Sequence, residues 1–213
     1  VTAHQWWWEY EYPDEGVVAA NELHIPIGRP VYLELKSVDV IHSFWVPKLA
    51  GKQDVVPGRS NFMTLRATRP DTYFGQCAEF CGLSHANMRL LVVSESEENF
   101  EEWIAEQKQP AGKPTNTLAL QGEKLFQEGQ CAGCHTIDGT NAQGKVGPNL
   151  THLFARQRFA GAIFDLNREN LVRWLRDPPA MKPMLPDKGL GMPNLNLSEE
   201  EIEALVAYLE TLE

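Results

Sequence analysis

No stretch of this 213-residue chain approaches the ~20 consecutive apolar residues that a helix needs to cross a bilayer. Basic residues are in the minority, 19 against 29 acidic for a formal net charge of −10, which makes nucleic acid a poor partner. There is no low-complexity tract, and no grouping of acid, base and nucleophile that reads as a site for substrate chemistry. Neither a start methionine nor a signal peptide opens the sequence at Val1-Thr2-Ala3-His4, so the chain is expected to be part of a longer gene product. Cysteine is scarce as well. The four that occur form two close pairs, Cys77/Cys81 and Cys131/Cys134, and such pairs serve as disulfides, metal ligands or haem attachments.

The acidic excess is concentrated in the first 110 residues, with 16 acidic against 9 basic side chains. Such a surface suits a basic protein partner, and equally serves plain solubility. This half also reads as β structure. Short alternating or β-branched segments recur at 21–26, 31–38, 61–65 and 88–93, separated by turn signals such as Ile27-Gly28-Arg29-Pro30 and Pro57-Gly58. That spacing predicts a sandwich or barrel. Residues 94–107 are acidic, with Phe100, Trp103 and Ile104 at helical spacing, and are expected to close a domain over 1–108 as a helix or turn.

Residues 109–117 are polar, carry two prolines and lack periodicity, so they read as a linker. The period then changes. Leu118, Gly122, Leu125 and Phe126 share a helical face ahead of Cys131, and 170–176 is a second helix, stopped by Asp177-Pro178-Pro179. In the last helix Ser198 and Glu201 form a capping box before the stripe Ile202, Leu205, Val206 and Leu209. Residues 118–213 are therefore expected to form an all-α domain.

Between Cys77 and Met88 lie four soft or borderline ligands, Cys77, Cys81, His85 and Met88. Thiolate, imidazole and thioether together select copper over magnesium, calcium or manganese. A mononuclear blue-copper loop needs one cysteine; two can place both sulfurs between two copper ions. Each ion then needs a terminal imidazole, from His85 and from a distant strand carrying His42. Met88 is the candidate axial donor on one side, and the Glu79 carbonyl on the other. Zinc bound by Cys77, Cys81, His85 and one further ligand stays open on these residues alone, as does a Cys77–Cys81 disulfide.

Three ordered blocks, 4–13, 39–44 and 77–88, resemble the periplasmic copper domain of cytochrome c oxidase subunit II. The resemblance implies a cupredoxin-type all-β barrel holding a dinuclear CuA centre on His42, Cys77, Glu79 (through its carbonyl), Cys81, His85 and Met88. It also implies an exposed Trp6 through which electrons reach the copper, and a Glu79 carboxylate that helps hold magnesium or manganese at the boundary with subunit I.

Cys131-Ala132-Gly133-Cys134-His135 is the C-x-x-C-H signature of covalent c-type haem, with His135 as proximal ligand. The sixth ligand is sought among Met181, Met184 and Met192. Met192, followed by Pro193 and the capped last helix, resembles the pattern of class I cytochromes c and is the expected one. The same resemblance places Gly122 and Phe126 where the first helix crosses the last, opposite Tyr208, and has the Pro148 carbonyl accept the imidazole N–H of His135. His4, His24 and His152 are left as surface or satisfied histidines.

Both halves together resemble the subunit II of haem–copper oxidases that carries a fused cytochrome c. What this implies is electron transfer from a soluble or membrane-bound donor to haem c, on to CuA and then to the haem of subunit I. There oxygen is reduced and protons are pumped; no oxygen-reducing site lies on this chain. The expected place is the outer, periplasmic face of the cytoplasmic membrane, with this chain a soluble piece lacking the family's two N-terminal membrane helices. A CuA-bearing nitric oxide reductase subunit shares the metals. Nitrous oxide reductase fits less well, wanting an upstream propeller and no haem domain. A copper chaperone would need exchangeable metal.

Overall fold

β-Branched and aromatic residues at alternate positions commit much of the first hundred residues to strands. The computed structural model describes all 213 residues and divides them into two compact units, Val1–Lys108 with Ala160–Ile163, and Gln109–Phe159 with Phe164–Glu213.

The first unit holds ten strands: β1 (Thr2–His4), β2 (Trp7–Tyr12), β3 (Val17–Ala20), β4 (Glu22–Pro26), β5 (Val31–Ser37), β6 (His42–Trp45), β7 (Gln53–Val55), β8 (Asn61–Leu65), β9 (Asp71–Cys77) and β10 (Arg89–Glu95). They form two five-stranded sheets, ordered β3-β2-β1-β5-β8 and β4-β10-β9-β6-β7. Pairing is antiparallel except for β1 with β5 and β4 with β10. β5 shows how the pleat sorts residues: Leu33, Leu35 and Ser37 point inward, while Tyr32, Glu34 and Lys36 face out. Trp8, Tyr10, Ile25, Leu35, Phe44, Leu65, Met88 and Leu90 fill the interior. Helix α1 (Glu97–Gln107) follows β10, with Ser96 accepting from Asn99 N–H as its N-cap, and buries Phe100 and Ile104 against Val17.

The four strands expected from sequence are present with ends shifted by up to two residues. β6 was expected only as the strand that carries His42, without bounds, and β1–β3, β7 and β9 were not anticipated as strands. β9 hides behind Gly75, a weak strand former, but a Cβ there would stand 2.7 Å from the Trp45 carbonyl oxygen.

The second unit contains α2 (Thr117–Glu128), α3 (Cys131–Cys134), a two-residue hairpin β11 (Arg158–Phe159) and β12 (Phe164–Asp165), α4 (Arg168–Arg176), α5 (Pro178–Met181) and α6 (Glu199–Leu209). α2 crosses α6 at Gly122, where a Cβ would lie 1.9 Å from the Ala204 carbonyl oxygen and 2.8 Å from Tyr208 Cβ. One turn on, Phe126 meets the Tyr208 ring edge-on. α6 begins with the capping box: Glu201 N–H donates to Ser198 Oγ, and Ser198 N–H to the Glu201 carboxylate. Asp177 ends α4 and caps α5, whose first residue is Pro178. Gln109, the first residue of the expected linker, offers its carbonyl to His152 Nε2 at 3.1 Å. Gly112 lies so close to Thr211 that a Cβ would meet its carbonyl oxygen at 1.8 Å.

Candidate metal centre and haem site

Three strands bring the sulfur ligands and His42 to one end of the first unit. β6 and β9 pair with Phe44 opposite Cys77, β9 pairs with β10, and Cys77 N–H donates to the Met88 carbonyl. His42 at the start of β6, Cys77 at the end of β9 and Met88 just before β10 therefore lie side by side. The loop after Cys77 folds back over them, carries Cys81, and ends in a 3-10 turn over His85–Asn87.

Six donor atoms meet there in two groups. Cys77 Sγ is 3.8 Å from His42 Nδ1 and 3.2 Å from the Glu79 carbonyl oxygen. Cys81 Sγ is 3.5 Å from His85 Nδ1 and 3.8 Å from Met88 Sδ. The sulfurs themselves are 3.8 Å apart, far beyond the ~2.05 Å of a disulfide. His42, Cys77, Cys81 and Met88 are all buried. Each sulfur thus has its own imidazole and its own weaker donor. This set fits two soft ions; a single tetrahedral zinc takes about four donors and leaves two buried beside it.

The Cys77 thiol is prepared for metal. The Cys81 thiol, hydrogen-bonded to Cys77, holds the Cys77 pKa down to about 4 against the opposing effect of burial. Burial presses His42 downward, but the Asp39 carboxylate and the Cys77 sulfur outweigh it and leave the imidazole above its ordinary pKa. Asp39 itself ends below its usual value: burial raises it, and bonds from His42, Val40 N–H and Gln5 N–H more than compensate.

Trp6 departs from its expectation. It is 2% exposed rather than an open surface ring, and its Nε1–H donates to the Cys81 carbonyl at 2.9 Å, beside the Gln5 amide that donates to the same oxygen at 2.6 Å. The resemblance carried over a position, whereas exposure depends on packing that position does not fix. Glu79 turns its carbonyl to Cys77 and its half-exposed carboxylate to Lys52 Nζ, 3.7 Å away.

In the second unit, Cys131 and Cys134 are the two ends of α3, and His135 follows at its C-cap. His135 Nδ1–H donates to the Pro148 carbonyl at 2.8 Å, which leaves Nε2 as the ligating nitrogen. Burial lowers the His135 pKa, the Pro148 bond opposes this and Arg156 adds to it, so the neutral, iron-binding form is favoured. Gly147 lies under the ring, where a Cβ would stand 2.5 Å from His135 Cε1, and Gly144 is pressed equally tightly against the backbone of Gly133 and Cys134. The two thiols and the fixed imidazole fit a covalently held haem. Met192 is half-buried with its sulfur 3.2 Å from Trp174 Nε1; Met184 lies under Gly191, whose added Cβ would meet its sulfur at 2.4 Å.

Sequence reasoning gave no site role to Asp39, Gln5 or Trp174. An acid three residues before a candidate ligand was the available signal for Asp39. The unassigned histidines differ from one another. His24 bonds Glu95 at 2.6 Å and stacks on Trp103, and His152 lies between the carbonyls of Glu213 and Gln109. His4 stacks on Trp7, but its buried Nε2 has no partner, so it is neither a surface nor a satisfied histidine.

The family described as cytochrome c oxidase subunit II, periplasmic domain, matches residues 17–95, and the cytochrome c family matches residues 119–213. Cytochrome c oxidase subunit 2 of Alkalihalophilus pseudofirmus is 42% identical over 213 residues, covering 100% of this chain and 60% of that protein. The Bacillus subtilis protein of the same name is 38% identical over 221 residues, covering 100% and 61%. The chain thus spans about three fifths of the length of these relatives. Among solved structures, the periplasmic domain of subunit II of cytochrome oxidase from Bradyrhizobium japonicum aligns with 50% of this chain and 89% of its own, at 29% identity and a TM-score of 0.49.

Proposed function

The chain belongs to the cytochrome c oxidase subunit II family, with a cytochrome c domain after its copper domain, and from that premise we propose that it receives electrons for a haem–copper oxidase. The order proposed is haem c, then a dinuclear CuA centre, then the haem of subunit I, where oxygen is reduced with proton translocation. The observation that carries it is the pair of ligand groups around Cys77 and Cys81, 3.8 Å apart at the sulfurs. Copper and haem, when bound, supply one-electron storage at little geometric cost; the residues supply everything else.

His42, Cys77, Glu79 (carbonyl), Cys81, His85 and Met88 would hold the copper pair, and burial excludes water from most of these donors. Cys131 and Cys134 would hold haem covalently, with His135 and Met192 on the iron and Pro148 fixing the His135 ring. Trp6 is retained as the relay beside Cys81, now as a buried indole on its carbonyl rather than an open surface ring. Glu79 remains the candidate for a magnesium or manganese ion shared with subunit I. We place the chain at the outer, periplasmic face of the membrane. No helix is long and apolar enough to cross a bilayer.

The test is electron paramagnetic resonance of the copper-loaded, haem-containing protein. One electron shared by two equivalent copper nuclei gives a seven-line hyperfine pattern. In the oxidised protein a four-line signal means one copper, and bound metal that stays silent after oxidation and assays as zinc means a zinc site; either sinks the reading. Turnover of oxygen rather than nitric oxide by the assembled complex tests the terminal acceptor.

A further inference from the structure

Asp39 donates no atom to the sulfur cluster, yet it holds one of its ligands. It lies between β5 and β6, three residues ahead of His42. Its Oδ1 accepts from His42 Nε2 at 2.8 Å and from Val40 N–H at 2.6 Å, with Ser37 Oγ at 3.4 Å. Its Oδ2 accepts from Gln5 N–H at 2.6 Å. With both oxygens engaged, the carboxylate cannot turn without breaking a bond. An ionised carboxylate only accepts, so Nε2 carries a proton, and in the neutral, metal-binding form of the ring it is Nδ1 that presents its lone pair to the site, 3.8 Å from Cys77 Sγ.

The second imidazole is not treated alike. His85 Nδ1 faces Cys81 Sγ, but no carboxylate of this chain holds its other nitrogen, and its ring lies edge-on to the exposed Phe80. Gln5 connects the two sides: its main-chain N–H binds Asp39 and its side-chain amide binds the Cys81 carbonyl. An anionic acceptor on the far nitrogen raises the basicity of a metal-bound imidazole and fixes its rotation.

We infer that Asp39 is a positioning residue of the copper centre, locking His42 as an Nδ1 ligand and making it the stronger donor of two unequal imidazoles. This rests on the copper reading above. The test uses the full chain carrying haem, with Asp39→Asn and Asp39→Ala beside the parent. Copper affinity is measured by chelator competition, the copper midpoint potential by titration with the haem as internal reference, and stability by unfolding of the metal-free chain. Asp39→Asn keeps a neutral acceptor; it is expected to retain the seven-line signal with a raised copper potential and an unchanged haem potential. Asp39→Ala is expected to lose roughly 10- to 100-fold in copper affinity. Parent-like affinity and potential in both variants overturn the inference, even where metal-free stability falls, because that assigns Asp39 to the loop alone. A parent without the seven-line signal sinks the copper reading instead and takes this inference with it.

Discussion

The indole Nε1–H of Trp174 donates to the thioether sulfur of Met192 at 3.2 Å. The register of α4 turns Trp174 inward with Leu171 and Leu175, and Phe159 and Phe164 pack its ring at centroid distances of 5.6 and 6.2 Å. Met192 arrives from the extended stretch before α6. A thioether sulfur has two lone pairs. One is engaged by the indole, and the second remains for iron.

Trp174→Phe keeps the aromatic packing and removes the donor. A sulfur relieved of that N–H is a stronger donor to ferric iron, so the haem potential is expected to fall, with a shifted methionine–iron absorption band. Spectroelectrochemistry reads both. An unchanged potential would mean that Met192 does not ligate or that the bond is lost when haem is bound.

The same contact separates the candidate axial methionines. Met192→Ala is expected to cost a large part of the ~0.8 V that axial ligands span across haem proteins, and to open the iron to added ligands such as imidazole. Met184→Leu should leave the potential in place, since its sulfur is packed under Gly191. The reverse pattern would reassign the ligand to Met184.

What could be read beforehand followed the range over which each signal acts. Cys77, Cys81, His85 and Met88 lie within twelve residues, and C-x-x-C-H within five, so chemistry and spacing announced them together. His42 needed the pairing of β6 with β9 to join them; the demand for a second imidazole pointed to it, and the resemblance agreed. Asp39 and Gln5 went unassigned: an acid three residues before His42 is a weak signal, because acids and amides near ligands are common and their roles depend on a ring rotation that sequence does not encode. The burial of Trp6 was misjudged for a related reason: the copper loop, through Cys81 and Gly82, packs against its ring. α6 was clear because its cap and stripe are local, whereas β9, broken by Gly75, was not.

Gly122→Ala tests the α2–α6 crossing. The new Cβ would meet main-chain atoms of Ala204, which cannot rotate away as a side-chain end can. Overpacking of this kind costs about 1–3 kcal/mol, and the backbone contact puts this site at the upper end. Thermal unfolding followed at the haem band should show the loss. A melting temperature within a degree of the parent would mean the helices separate at little cost.

Gly147→Ala acts on the haem side. Its Cβ would occupy space within 2.5 Å of the His135 ring, so the imidazole must leave the Pro148 carbonyl or the loop must move. Reduced haem incorporation, or a haem potential shifted relative to the parent, is expected. A holoprotein with the parent's yield and potential would show that the loop yields freely.

His4 gives the first unit a calculable pH dependence. Its ring stacks on Trp7 at 4.1 Å, and its buried Nε2 has no acceptor to receive a proton's hydrogen bond. Burial is the main cause that holds its pKa at about 4, with Asp39 opposing and His42 adding to the depression. In the unfolded chain the same side chain protonates near its ordinary value of about 6.5. Between those two values the unfolded state binds a proton that the folded state refuses, so this contribution to stability is whole above about pH 6.5 and is lost as pH falls towards 4. Its size is at most about 3 kcal/mol, and less because the ring is only partly buried. Other groups change protonation in the same window, Cys77 among them, so the useful quantity is a difference between variants. His4→Phe keeps the stack and cannot take up a proton. Denaturant unfolding of the two full-length chains should therefore show the variant gaining on the parent as pH falls from 7 to 4.5. A gap that stays constant over that interval would mean that His4 finds an acceptor when protonated.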